Sequence, residues 1–177
     1  MNKIFYTNFD SKIGKIFIAS SDRGLCRISL TGGGEGEEDF FAWIKKYYPS
    51  FERVENYEQN ERVVKQLISY FDGTLKDFTI VLDMKGTDFQ ISVWKTLREI
   101  PYGEIRTYKD IAEKIGKPKA SRAVGGANRA NPFPVVVPCH RVIGTDGKLT
   151  GYAGKTESNL HLKEKLLRLE GYSGKLK

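Results

Sequence analysis

The chain has 177 residues, of which 40% are hydrophobic and 29% are charged. This composition excludes a disordered or fibrous protein, and the length allows a core that needs no disulfide or structural metal. Its two cysteines and two histidines do not fit the usual zinc-site spacings, so we expect no bound metal. The first residues carry no long apolar block, which argues against a signal peptide or a membrane span and favours a reducing, intracellular compartment.

The positive charge is concentrated in the second half of the chain. Residues 1–85 contain 12 Lys and Arg against 13 Asp and Glu, a net charge of −1, whereas residues 86–177 contain 17 against 9, a net charge of +8. No acidic residue occurs from Lys114 through Thr145, a stretch with six basic residues. Such a stretch is typical of a surface that binds a polyanion, although a basic face kept for solubility has the same composition.

The first half of the sequence predicts three strands followed by two helices. Lys3–Phe9, Ile13–Ser20 and Gly24–Leu30 are rich in β-forming residues and are separated by short turns, which suggests an antiparallel meander. Apolar residues then recur at helical spacing in Phe40–Tyr48 and again in Val63–Phe71. Both stretches are therefore predicted to be helices with one buried face.

Two shorter features complete this half. Phe78, Ile80 and Leu82 occupy alternate positions, which predicts a strand over residues 78–82. The glycine run 32–34 is not followed by the Lys-Ser/Thr pair of a phosphate-binding loop, so we interpret it as a connector. We predict a small α/β domain over residues 1–85 and a second domain over residues 86–177.

The second half predicts short helices, two of which form a helix-turn-helix. Thr87 and Gln90 give a capping-box pattern before one helix, Thr107 caps a second helix that ends at Gly116, and a third begins near Ser121. Two short helices joined by a tight turn are a DNA-binding arrangement, but an ordinary helical corner has the same pattern.

The third of these helices contains two adjacent glycines. Gly125 and Gly126 inside a helix should each cost about 0.5–1 kcal/mol relative to alanine. Tight packing against a neighbouring element, or a helix break at Gly125, would explain them. A third explanation is close approach of the helix backbone to a nucleic-acid groove with Arg122 projecting alongside, and the basic surroundings favour it.

The segment at residues 138–142 carries a candidate nucleophile. A thiolate forms near neutral pH only when a base or a positive charge lowers the thiol pKa from about 8.5, and His140 and Arg141 stand beside Cys139. Because neighbouring side chains on a strand point to opposite faces, a contact between Cys139 and His140 requires irregular backbone or a bridging water. Taken alone, Cys139 is better explained as a small buried core residue and His140 as a hydrogen-bonded core imidazole.

Several motifs together resemble the O6-alkylguanine-DNA alkyltransferase family. The sequence Pro-Cys-His-Arg-Val at residues 138–142 is the most specific of them, and the similarity extends from Phe89 to Tyr172. The other matching segments are Val93–Lys95, Tyr102–Glu104, Thr107–Tyr108, Ser121–Ala127, Asn131–Pro132, Gly151–Gly154 and Leu166–Gly171. The resemblance implies an α/β (α+β) protein with a small ribonuclease-H-like N-terminal domain and a helical C-terminal domain that contains a helix-turn-helix.

The resemblance also implies an enzyme, a methylated-DNA–protein-cysteine methyltransferase that acts once and uses no cofactor. Cys139 would take the alkyl group from O6 of guanine in one displacement, His140 would act as a base through a water, and Glu170 would orient His140. Asn131 would hold the helix-turn-helix against the cysteine segment. Tyr108 would contact the target nucleotide and protonate the departing guanine.

The implied partner is double-stranded DNA that contains O6-alkylguanine, with O4-alkylthymine as a second candidate substrate. The target nucleotide must leave the duplex before a thiol can reach its alkyl carbon, and Arg122 would take its place in the stack. The other implied DNA-contacting residues are Ser121, Ala123, Gly125, Gly126 and Arg129, together with Tyr108. The implied guanine pocket is formed by Val142, Tyr152 and Gly154. We expect a monomer in the cytoplasm, associated with the nucleoid if the host is a prokaryote.

Two other classes of function compete with this one. A helix-turn-helix regulator or a protein that flags damage without repairing it would leave Cys139 inert. A cysteine hydrolase would need an oxyanion-hole motif, which does not accompany the cysteine. The intact set of Cys139, His140 and Glu170 favours the repair enzyme.

Overall fold

The computed structural model describes residues 2–31, 35–150, 157–174 and 176. The chain divides into two compact units, Met1–Lys85 and Gly86–Lys177. Tyr152 and Gly154, two of the predicted pocket residues, lie outside the described residues, as does the glycine run 32–34.

The first unit is a mixed sheet with two helices. Its strands are β1 (Asn2–Ser11), β2 (Gly14–Ser21), β3 (Gly24–Leu30) and β4 (Phe51–Glu55), and its helices are α1 (Glu37–Tyr47) and α2 (Tyr57–Phe71). The strand order is β3-β2-β1-β4, in which β1 and β4 are parallel and the other two pairs are antiparallel. The predicted meander and both predicted helices are therefore confirmed.

The two helices cover opposite faces of this sheet. Ala19 of β2 packs in one apolar cluster with Phe40 and Ile44 of α1. The next residue, Ser20, instead hydrogen-bonds to Asn60 of α2 at 2.8 Å. Because consecutive strand residues point to opposite faces, α1 and α2 bury the two sides of the sheet and form a core on each.

The predicted strand at residues 78–82 is wrong. The burial of its side chains does alternate, since Ile80 is 6% exposed and Val81 is 70% exposed. Its backbone, however, meets the sheet at one position only, the bridge between Leu25 and Leu82. The segment thus has the alternating burial of a strand, but it lacks the ladder of backbone hydrogen bonds that defines one.

β4 is a strand that the sequence analysis did not predict. Three of its five residues are exposed charged side chains, Glu52, Arg53 and Glu55. Exposed charges on an edge strand discourage pairing with another chain, and they also remove the alternation from which a strand is predicted.

The second unit is mainly helical. Its elements are α3 (Asp88–Leu97), β5 (Arg106–Thr107), α4 (Tyr108–Lys114), α5 (Ser121–Arg129), β6 (Val142–Ile143) and α6 (Glu157–Leu169), with a 3₁₀ turn at Cys139–Arg141. β5 and β6 pair in parallel. Thr87 accepts a hydrogen bond from the Gln90 N–H and Thr107 from the Asp110 N–H, so both capping predictions are confirmed.

A buried tryptophan fixes α5 against α3. Trp94 is 1% exposed, and its indole Nε1 donates to the carbonyl of Ala127 at 2.9 Å. The ring of Phe133 meets it edge-on, with centroids 6.3 Å apart. The helix that carries the predicted DNA-contacting residues is therefore anchored from its buried side, directly before the cysteine segment.

Candidate active site and nucleic-acid interface

The backbone around Cys139 is irregular, as a contact between neighbouring side chains requires. A 3₁₀ turn begins at Cys139, and the Arg141 N–H donates to the Pro138 carbonyl at 3.0 Å. Upstream, Val135 has a φ of 75°, which is uncommon for a β-branched residue. As a result Cys139, His140 and Arg141 are all buried, whereas a regular strand would turn the middle one away.

Cys139 lies among polar groups although it is only 3% exposed. Asn131 Nδ2 donates to its Sγ at 3.1 Å and to the Val137 carbonyl at 2.9 Å, and Asn128 Nδ2 donates to the Cys139 carbonyl at 3.2 Å. Burial raises the pKa of the Cys139 thiol, against the opposing influence of the Asn131 hydrogen bond and the Lys163 charge. The thiol is therefore protonated at neutral pH and needs a base before it can attack.

His140 is a base held by a buried carboxylate. Its Nε2 lies 2.7 Å from Glu170 Oε1, and both side chains are completely buried. Burial lowers the pKa of His140, although Glu170 acts to raise it, so the imidazole is neutral at neutral pH. Because the carboxylate accepts from Nε2, that nitrogen carries the proton and Nδ1 is the basic one.

Arg141 forms an ion pair with Glu170. The sequence analysis had placed it as a candidate partner of Cys139 instead. Its Nε lies 2.8 Å from Glu170 Oε2 and its Nη2 lies 2.9 Å from Oε1. Burial acts to raise the pKa of Glu170, but the hydrogen bonds from His140 and Arg141 outweigh it and hold that pKa well below its usual range. Glu170 is thus ionised wherever the protein is folded at ordinary pH.

Sequence analysis missed Lys163, which α6 buries completely. Its Nζ donates to the carbonyls of Val142 and, at 2.9 Å, of Thr150, and it lies 3.4 Å from the hydroxyl of Tyr108. Burial lowers the pKa of Lys163 to about 8. The one available signal was the helical spacing that places this lysine beside Leu162, Leu166 and Leu167 on the buried face of α6.

Tyr108 is the first residue of α4, and its side chain faces the ammonium of Lys163. Its hydroxyl donates to the Thr150 carbonyl, and burial raises its pKa to about 12. Val142, the predicted pocket residue within the described part of the chain, is fully buried in β6. The structure thus brings Cys139, Tyr108 and Val142 together with Lys163.

The predicted DNA-contacting residues follow one side of α5. Val124, Ala127 and Asn128 are buried on the other side of the helix. The exposed residues are Arg122, Ala123 and Arg129, and the half-buried ones are Ser121, Gly125 and Gly126.

The two glycines do not break α5, which runs unbroken from Ser121 to Arg129, so the helix-break explanation is wrong. A Cβ on Gly126 would meet no atom within 4 Å, and one on Gly125 would touch the Tyr108 ring at an ordinary 3.9 Å. Tight packing among the described residues therefore explains neither glycine. The remaining explanation is that the two glycines leave the helix backbone uncovered by side chains on a basic face, where another molecule can approach it closely.

Neither a metal cluster nor a membrane-spanning helix is present among the described residues. They contain no group of three or more His, Cys, Asp and Glu side chains that could hold a metal ion. None of their helices is both long and apolar enough to cross a membrane.

Two protein-family models match the chain, one to each unit. Residues 4–84 match the ribonuclease-like domain of 6-O-methylguanine DNA methyltransferase, and residues 88–172 match its DNA-binding domain. The predicted ribonuclease-like fold of the first unit is therefore confirmed.

Known proteins of the same kind align with almost the whole chain. The methylated-DNA–protein-cysteine methyltransferase of Methanosarcina acetivorans is 49% identical over 95% of this chain and 99% of its own length. The constitutive enzyme of Bacillus subtilis is 42% identical over 98% and 99%. The crystal structure of the Mycobacterium tuberculosis O6-methylguanine methyltransferase superimposes with a TM-score of 0.77 at 40% identity, covering 94% of this chain and 92% of that one. The structure of the same species' OGT in complex with DNA gives 0.76 at 38% identity, with the same coverage. These matches extend over both units, and the chain belongs to the 6-O-methylguanine DNA methyltransferase family.

Proposed function

We propose that this protein repairs DNA directly by moving an alkyl group, above all methyl, from O6 of guanine to Sγ of Cys139. The observation that carries the proposal is the buried arrangement of Cys139, His140 and Glu170, in which an acceptor thiol stands next to a neutral imidazole fixed by a carboxylate. Membership of the family supports the same reaction.

The proposed transfer is a single displacement. The thiol proton passes through a water to Nδ1 of His140, and the sulfur attacks the alkyl carbon from the side opposite O6. The S–C bond forms while the C–O6 bond breaks, and the electron pair of that bond stays on the guanine. Because the product is a stable thioether, the thiol is both nucleophile and final acceptor, so each chain acts once and needs no cofactor.

Tyr108 is the proposed proton donor to the departing base. A pKa of about 12 keeps its phenol protonated at neutral pH, so a proton is available when negative charge develops on the guanine. The ammonium of Lys163, 3.4 Å from the hydroxyl, would then stabilise the phenolate.

The second unit is the proposed DNA-binding and acceptor domain. O6 of guanine is stacked and paired inside a duplex, so the nucleotide must be extruded at a cost of about a few kcal/mol. The exposed side of α5 supports binding in a groove, with Arg122 filling the gap in the stack and Asn131 tying the helix to the acceptor. One helix-turn-helix and one acceptor per chain suit a monomer, and a DNA substrate suits the cytoplasm or, in a prokaryote, the nucleoid.

Reaction of the wild-type protein with a duplex that contains one O6-methylguanine tests this function. We expect the intact mass of the protein to rise by one methyl group, and peptide mapping should find that group on Cys139. Cys26, which is also buried, is an internal control. Methyl on Cys26, or more than one turnover per chain, would contradict the proposal.

Glu170→Gln should slow transfer to free O6-benzylguanine about tenfold at neutral pH and shift the pH dependence of the transfer rate to higher pH. The ionised Glu170 raises the basicity of His140, and a neutral amide does not. With a weaker base the Cys139 thiol depends more on its own ionisation, and burial has raised its pKa. The variant should therefore recover part of its rate in alkaline solution.

The measurement is the transfer rate against pH, with thermal melting as the control because the substitution would leave the buried Arg141 charge without its carboxylate. A profile that superimposes on that of the wild type would remove Glu170 from the mechanism.

A further inference from the structure

A tight turn precedes β5 in the second unit. The Glu104 N–H donates to the Pro101 carbonyl at 3.1 Å, and Gly103, the third residue of the turn, has a φ of 79°. Type II turns require a left-handed residue at this position, which explains glycine there. The turn leads into β5, and β5 pairs with β6, the strand that follows the acceptor turn.

This turn is hydrogen-bonded to the C-terminal end of α6. The Gly103 N–H donates to Glu170 Oε2 at 3.1 Å, and the Tyr102 hydroxyl donates to the Leu169 carbonyl at 3.1 Å. A Cβ on Gly103 would lie 3.0 Å from the Glu170 carbonyl oxygen, so Glu170 or the turn would have to shift by a few tenths of an ångström. The contact thus favours glycine at this position, as the turn does.

We propose that the backbone amide of Gly103 is a positioning group for the transfer reaction, because it fixes the Glu170 carboxylate that orients His140. The inference rests on the function proposed above. Arg141 binds both oxygens of the carboxylate. The Gly103 N–H adds a donor to Oε2 while His140 Nε2 bonds to Oε1, so the Gly103 amide resists rotation of the carboxylate away from His140.

A backbone donor suits this task for a physical reason. It has no rotamers and no protonation equilibrium, so it loses no side-chain entropy and keeps its direction at every pH at which the turn is folded. Small errors in the position of a catalytic base slow reactions strongly, about 100-fold for 1 Å. A rigid backbone donor on Glu170, in addition to those of His140 and Arg141, therefore affects the rate through His140 without touching the substrate.

Gly103→Ala tests the proposal, with Gly116→Ala as the matched control. Gly116 has a φ of 72°, and a Cβ there would meet nothing within 4 Å. Both substitutions therefore carry the strain of a left-handed alanine, but only Gly103→Ala displaces Glu170. We expect transfer to free O6-benzylguanine to slow about tenfold in Gly103→Ala and to stay near wild type in Gly116→Ala, at similar melting temperatures.

The ring signals of His140 give a second readout that needs no activity. The chain has two histidines, so His161→Gln assigns both by NMR. The His140 Nε2 proton should appear far downfield in the wild type and in Gly116→Ala, and should move upfield or exchange away in Gly103→Ala. If Gly103→Ala does not fold, replacing the Gly103 amide with an ester removes the N–H without adding a Cβ, and the same changes are expected.

The outcomes separate this inference from the proposed function. Unchanged rate and unchanged His140 signals in the folded Gly103 variant would overturn the positioning role while leaving the function intact. A wild type that transfers no alkyl group would refute the proposed function, and the NMR comparison would still decide whether Gly103 positions Glu170.

Discussion

Cys139→Ala will transfer no alkyl group and will bind a duplex containing O6-methylguanine as tightly as the wild type. The substitution removes the sulfur, the sole atom of the site proposed to accept the group. It leaves the exposed residues of α5 unchanged, and Asn131 keeps its hydrogen bond to the Val137 carbonyl. Transfer is measured by protein mass and binding by fluorescence anisotropy at fixed salt, since phosphate contacts depend on salt concentration.

Cys26→Ala is the matched control for this result. Cys26 is completely buried in the core of the first unit, so its truncation should lower the melting temperature and leave transfer intact. Residual transfer by Cys139→Ala would reveal another acceptor. Loss of transfer in a folded Cys26→Ala protein would mean that the two cysteines act together.

Arg122→Ala will slow repair of duplex DNA on the order of 100-fold and leave transfer to free O6-benzylguanine unchanged. Only the duplex substrate requires extrusion of a nucleotide, and the arginine is proposed to fill the space that the nucleotide leaves. Arg122 is exposed at the second position of α5, so its truncation should not disturb the core. Single-turnover rates on the two substrates measure the difference.

Lys119→Ala controls for the loss of one positive charge, because Lys119 is exposed and lies just before α5. It should weaken duplex binding slightly, to an extent that depends on salt, and leave the extrusion step unaffected. If Arg122→Ala lowers the transfer rate equally on duplex DNA and on free O6-benzylguanine, Arg122 acts in the guanine pocket and does not act by contacting the DNA.

The sequence predicts best those features that depend on neighbours in the chain. The caps at Thr87 and Thr107 are local hydrogen bonds, and both helices begin where their capping patterns indicate. Strand geometry alone predicts that Cys139 and His140 meet through irregular backbone or a bridging water, and the backbone at Cys139 is a 3₁₀ turn. The pairing of Glu170 with His140 came from family resemblance, because nothing in either segment specifies the other.

Features that depend on distant contacts were missed for a physical reason. Gly103 and Glu170 are 67 residues apart in the sequence, so their hydrogen bond leaves no local pattern. Lys163 is buried because the carbonyls of Val142 and Thr150 accept hydrogen bonds from its ammonium, and neither carbonyl is near it in the sequence. The strand predicted at residues 78–82 is an error of the opposite kind. Its burial pattern was predicted correctly, but the segment pairs with the sheet at a single bridge.

The contact between Gly103 and Glu170 links folding to reactivity. Asn131 and Cys139 are close in sequence and can meet early, whereas bringing Glu170 to His140 and Gly103 closes loops of 30 and 67 residues. Closing long loops costs more entropy than closing short ones, so we expect this part of the site to form late in folding. Until then the thiol has the reactivity of an ordinary cysteine and no oriented base. The proposed activation of Cys139 thus depends on segments near both ends of the second unit, and a chain that ends before Glu170 would keep the thiol but lose the carboxylate that orients its base.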